Sequence, residues 1–213
     1  MNPGAAPLVV VYADESCLGN GREGDNPGGA AGLIETIAPR SGERVRRDYW
    51  ISEPATTNNR MALRSVIEAF RILSARGRPL RVRFVTDSNY IVKGFNEWVR
   101  GWIERGWRRK GGEIENLALW REAVEEYRRI AAVEWVWVRG HAGHPQNEYA
   151  NFLAVRAARR QDASEGAVPS GFDEWLAAQR RAGRMALEPD PFPPAAGFRA
   201  SRPLPVENAG RLD

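Results

Sequence analysis

Residues 8–15 read LVVVYADE, an apolar, largely β-branched run closed by two acids. A run of that length without polar alternation suits a strand buried on both faces of a sheet. The glycine-rich stretch that follows, GNGREGDNPGGAAG (residues 19–32), must turn the chain back, because residues 31–37 read as a second strand. After a turn at 39–42, residues 44–51 (RVRRDYWI) read as a third strand, polar enough to lie near an edge. Three strands joined by short links predict an antiparallel meander.

The hydrophobic period then changes. Thr57 or Asn58 can cap a helix whose apolar stripe is Met61, Leu63, Val66, Ile67, Phe70 and Leu73, ended by Gly77 and Pro79. Residues 80–86 (LRVRFVT) form a strand ending at Asp87, and residues 88–95 a short helix. Residues 116–132 form a helix, 133–138 (VEWVWV) a strand, and 147–160 a last helix. The order predicts an α/β fold: a five-stranded mixed sheet, meander first and parallel strands after, with helices on both faces.

Asp14 and Asp87 each end an apolar strand, where loops of an α/β sheet open a crevice for ligands. The plainer reading of either one is a helix cap. Two such acids together make a site for a divalent, oxygen-seeking cation. His141 lies in VRGHAGHPQNEYAN, flanked by Gly140 and Gly143 in a mobile loop, and suits a proton carrier; otherwise it is a surface histidine in a turn. Two histidines and the single Cys17 argue against zinc and against disulfides, so a reducing, cytoplasmic setting is expected. Asn20, Asn58 and Asn59 are short amides in turns. They bond either their own backbone or the 2′-hydroxyls and base edges of an RNA minor groove.

The net charge is +4, and all cations except Lys93 and Lys110 are arginine. Residues 98–110 alone carry five cations (Arg100, Arg105, Arg108, Arg109, Lys110) against Glu104. Trp98, Trp102 and Trp107 are interleaved with them, a pattern that points to a nucleic-acid partner. Spaced as they are, the tryptophans can pack inward while the arginines reach phosphate. Of Trp120, Trp135 and Trp137, at least two belong to the core. No run approaches the ~18 apolar residues of a membrane span, and the N-terminus lacks the features of a signal peptide. Residues 1–7 read as an extension and 8–160 as the domain. Residues 161–213 read as a tail, with a helix at 171–184 and then a Pro/Ala-rich segment expected to be disordered or draped on the domain.

ADESCLGN, TTNNRM, VTDSNYI, GFNEWVRGWIERGW and VRGHAGHPQNE, in that order, resemble type 1 ribonuclease H over residues 8–160. The resemblance implies a ribonuclease H-like three-layer fold, an RNA–DNA hybrid as partner, and endonucleolytic hydrolysis of its RNA strand with two Mg²⁺ ions, Mn²⁺ being able to replace them. A monomer is expected. By position, Asp14 and Asp87 match two of the family's four metal-binding acids, and His141 its loop histidine. Asn20, Asn58 and Asn59 match its groove-contacting asparagines, with Arg60 and Asn89 grouped beside them. Trp98, Trp102, Arg105, Trp107, Arg108, Arg109 and Lys110 fall in the basic protrusion that grips the DNA strand.

Two acids of the family pattern are missing. Ala62 follows NNRM where the pattern has Glu, and the fourth acid is matched to Asn151, an uncharged oxygen ligand. Glu15 stands where a Gly is usual and is the one extra carboxylate beside Asp14. It is expected to replace the acid missing at Ala62. The chain is then either a hybrid nuclease with a rewired site, or a hybrid-binding protein whose cleavage is lost or weakened.

Overall fold

A computed structural model describes residues 6–19 and 26–206. Its sheet has the order β5-β4-β1-β2-β3-β6. Strands β1 (Leu8–Cys17), β2 (Gly28–Ile37) and β3 (Arg44–Glu53) form the expected antiparallel meander. β4 (Arg81–Thr86) runs parallel to β1, and β5 (Ala132–Trp137) parallel to β4. A sixth strand not foreseen from the sequence, β6 (Val168–Pro169), pairs with the outer edge of β3. Two residues with one proline carry too little pattern to be read as a strand.

Pleating divides β1 between two cores. Val9, Val11 and Ala13 pack with Ala62, Leu63 and Val66 of α1 (Asn58–Ser74). Val10 and Tyr12 pack on the other face with Tyr149 and Leu153 of α5 (Pro145–Arg160). Glycine lets α5 lie close: a Cβ on Gly29 would stand 2.3 Å from the Ala154 carbonyl oxygen. Between β4 and β5 come α2 (Asn89–Lys93), a π-helical turn (Gly94–Trp98), α3 (Val99–Glu104) and α4 (Leu117–Tyr127).

Up to residue 206 the tail drapes over the domain. Helix α6 (Phe172–Arg181) buries Phe172 completely in the α5-side core, while Arg46 of β3 bonds Asp173 at 2.7 Å. Farther on, the carbonyls of Ala195 and Gly197 accept bonds from Arg81 and Arg83. The Ser201 amide donates to Val133 on the open edge of β5, and Leu204 packs on the α1-side core. Residues 188–206 are poor in apolar side chains, yet they are held by backbone groups docking on a finished domain and covering an exposed strand edge.

Candidate active site

Parallel pairing sets Ala13 of β1 beside Thr86 of β4, so Asp14 and Asp87, each one residue later, end at the same height. Neither is a helix cap. α1 is capped by Thr57, whose hydroxyl accepts from the Arg60 amide, and α2 begins after Ser88. A Cβ on Gly140 would lie 2.0 Å from Asp87 Oδ2, so the backbone of the β5–α5 loop rests against that carboxylate. The Trp137 indole N–H donates to the Asp87 carbonyl at 3.0 Å.

Glu15 completes the cluster. By strand alternation it leaves β1 on the α1 face, in line with Val9, Val11 and Ala13, where Ala62 is buried. Asp14 leaves on the α5 face. Beyond the last residues that β1 pairs with β4 the two converge: carboxylate oxygens of Asp14, Glu15 and Asp87 all lie within 4.8 Å of one another. Ser88, at the start of α2, partly offsets the rise of the Glu15 carboxyl.

Such crowding is electrostatically unfavourable when no cation is bound. Burial, and then the neighbouring Asp87, push the Asp14 carboxyl up to about 8 against the bonds it accepts from the Glu15 and Asn147 N–H groups. Burial and then the charges of Asp14 and Asp87 push Glu15 well above the usual carboxylate range. Asp87 is raised by burial, a rise opposed by the nearby His141.

At the start of α5 the structure adds Asn147: its Nδ2 donates to Asp14 Oδ2 at 3.2 Å, and it is 1% exposed. Asn151, one turn later, is half-buried and lines a groove with Glu148, Phe152, Arg156 and Trp175. Asn147 Oδ1 is buried without a hydrogen-bond partner. An orphaned carbonyl oxygen beside three crowded carboxylates fits a hard divalent cation in both donor type and charge. Glu148, also missed from the sequence, adds its charge to both Asp14 and Asp87, and its Oε1 accepts from the Gly143 amide at 3.2 Å.

His141 is exposed in a left-handed conformation (φ 52°) beside Asp87. Asn58 and Asn59 open α1, half-buried, and Asn58 Oδ1 has no hydrogen-bond partner. Arg60 faces Glu53 at 3.9 Å, and Asn89 is exposed at the start of α2. Asn20 lies outside the described residues. In the basic segment Arg105, Arg108, Arg109 and Lys110 are exposed while Trp102 and Trp107 are buried; Trp98 is half-buried. Trp102 packs edge-on against the fully buried Trp120. Trp102 and Trp107 thus pack inward, as their spacing suggests, beneath the turn that displays the arginines. Trp120 and Trp135 are core, and Trp137 is exposed.

A family model for RNase H matches residues 6–159. The ribonuclease H of Stutzerimonas stutzeri is 41% identical over 157 residues, 72% of this chain and 95% of that enzyme. That of Ralstonia nicotianae is 44% identical over 147 residues, 68% of this chain and 88% of its own. Among solved structures, LC9-RNase H1, described as a type 1 RNase H with the type 2 active-site motif, is 63% identical. It superposes with a TM-score of 0.87 over 98% of both chains. The foamy viral protease–reverse transcriptase in complex with an RNA/DNA hybrid shares the fold at 17% identity, with a TM-score of 0.60 over 75% of this chain and 21% of that one. The strand order, the acids at the ends of β1 and β4, and these matches agree: the chain belongs to the ribonuclease H family, whose members are nucleic-acid hydrolases.

Proposed function

We propose that this chain hydrolyses the RNA strand of RNA–DNA hybrids at a two-cation site. Asp14, Glu15, Asp87 and the Asn147 carbonyl oxygen hold the ions, with Asn151 one turn along α5 as a further oxygen ligand, Mg²⁺ being the natural pair and Mn²⁺ able to replace it. The observation that carries this reading is the convergence of three carboxylates beside the orphaned Asn147 Oδ1. Bound divalent ions would supply Lewis-acid stabilisation of the scissile phosphate and an activated water. The chain's own residues do the rest. Glu15 provides, from β1, negative charge on the α1 face where Ala62 provides none. Gly140 admits the Asp87 carboxylate against the loop backbone. His141, exposed above Asp87, is placed to carry protons between the site and solvent. Asn58 and Asn59, at the open end of α1, suit the RNA minor groove. Arg105, Arg108, Arg109 and Lys110 suit the phosphates of the DNA strand. A 63% identical relative described as a type 1 enzyme with another type's active-site motif supports a rearranged set of acids rather than a lost one.

The test is cleavage of a labelled hybrid in Mg²⁺ and in Mn²⁺, as a monomer by size-exclusion chromatography. A product ladder is expected. Glu15→Gln should lower the rate by on the order of a hundredfold or more, and Glu15→Gly with Ala62→Glu should restore it. Tight hybrid binding without products would make the chain a binding module instead. Full activity in Glu15→Gln would remove Glu15 from the site.

A further inference from the structure

The family match ends at residue 159, yet the tail returns to the active site. At Asp190 it meets the first turn of α5 through three bonds. The fully buried Gln146 clasps the Asp190 backbone, its Nε2 donating to the carbonyl at 3.0 Å and its Oε1 accepting from the amide at 3.2 Å. The Asp190 side chain lies 2.9 Å from His144 Nε2. His144 is the N-cap of α5: its Nδ1 accepts from the Asn147 amide at 3.4 Å. Asn147 in turn bonds Asp14.

This relay settles the His144 tautomer. A nitrogen that accepts from an amide carries no proton, so the ring proton sits on Nε2 and is donated to Asp190. An outer carboxylate that selects the tautomer of a histidine is the arrangement by which such partners orient groups at metal sites. Tyr12 of β1 holds the other side of the ring, with centroids 5.6 Å apart. The start of α5, and with it Asn147 and Glu148, is thus bound by Asp190, which lies 44 residues beyond Gln146 and 46 beyond His144.

We propose that the tail around Asp190 is an intramolecular brace for the active site, and that Asp190 is a positioning residue. Through His144, and with Gln146, it sets the first turn of α5 so that Asn147 meets Asp14. The inference rests on the two-cation reading of the site. It predicts that the tail governs cation affinity and turnover without touching the hybrid.

The experiment uses the full chain with Asp190→Ala, Asp190→Asn, His144→Ala, and the double variant Asp190→Ala/His144→Ala. Three quantities are measured: Mn²⁺ affinity by calorimetry, kcat and KM on a hybrid, and amide hydrogen exchange at Asn147. Asp190→Ala should weaken Mn²⁺ binding and lower kcat, each about tenfold, below the hundredfold of a 1 Å misplacement. KM should stay within about twofold and the Asn147 amide should exchange faster. Asp190→Asn keeps an acceptor for the Nε2 proton and should stay within about twofold of the parent. The double variant should be no worse than His144→Ala, because both act along one relay. Parental Mn²⁺ affinity and Asn147 exchange in Asp190→Ala would overturn the brace. So would equal losses in Asp190→Asn and Asp190→Ala, or additive losses in the double variant. A parent protein that neither cleaves nor binds Mn²⁺ would instead overturn the site reading, and exchange at Asn147 alone would then decide the brace.

Discussion

Charging the acid cluster should cost this fold stability, and a divalent cation should return it. Asp14 is 5% exposed and its carboxyl is raised to about 8 by burial and by Asp87. An acid raised above its unfolded value keeps its proton longer in the folded state. Its contribution is therefore complete below about pH 4 and is withdrawn as pH rises through about 8. Over the three pH units from 5 to 8, one such proton is worth at most about 4 kcal/mol. Hydration of a cluster open to solvent at one end brings the expected loss to about 2 kcal/mol. At ~2–4 °C per kcal/mol for a chain of this size, the cation-free melting temperature should fall by about 4–8 °C between pH 5 and pH 8. Mn²⁺ at a hundred times its dissociation constant adds about 2.7 kcal/mol, so it should reverse that fall at pH 8 and do much less at pH 5. The assay is thermal melting of the parent and of Asp14→Asn in chelator and in Mn²⁺ at both pH values. The difference between the two proteins cancels titration elsewhere. Asp14→Asn should lose the Asp14 share of the decline, keep the share that buried Glu15 contributes, and lose most of the Mn²⁺ response. A parent as stable at pH 8 as at pH 5 in chelator, or an Asp14→Asn protein stabilised equally by Mn²⁺, would refute the reasoning.

Gly140→Ala should cut cleavage on the order of a hundredfold with the fold intact by circular dichroism, because the new Cβ collides with Asp87 Oδ2 at 2.0 Å. Neutralising Arg105, Arg108, Arg109 and Lys110 together should flatten the salt dependence of hybrid binding by up to about 3–4 in log–log slope, read by anisotropy over a salt series. Asn58→Ala with Asn59→Ala should weaken hybrid binding and leave DNA-duplex binding unchanged; equal loss on both would show a folding role instead. Gly94→Ala should destabilise the basic protrusion by about 1–3 kcal/mol in urea melts, since its Cβ would stand 2.0 Å from the Trp120 ring.

Asp14 and Asp87 were legible in the sequence because each is covalently tied to the end of an apolar strand, so the strand's position is the acid's position. The meander, the stripe of α1 and the inward tryptophans followed likewise from period and spacing, which are local properties. Glu15 was legible as a carboxylate, but only the pairing of β1 with β4 shows it within 4.8 Å of Asp14 and Asp87. That Asn147 bonds Asp14 was not legible locally, because it depends on the close approach of α5 over Gly29. The tail was the least legible. Its composition rightly says that it buries too little apolar surface to fold alone, and composition carries no record of a partner. Residues 188–206 are ordered by arginines on β4, the open edge of β5 and the buried Gln146, groups that exist as a docking surface only once the rest of the chain has folded.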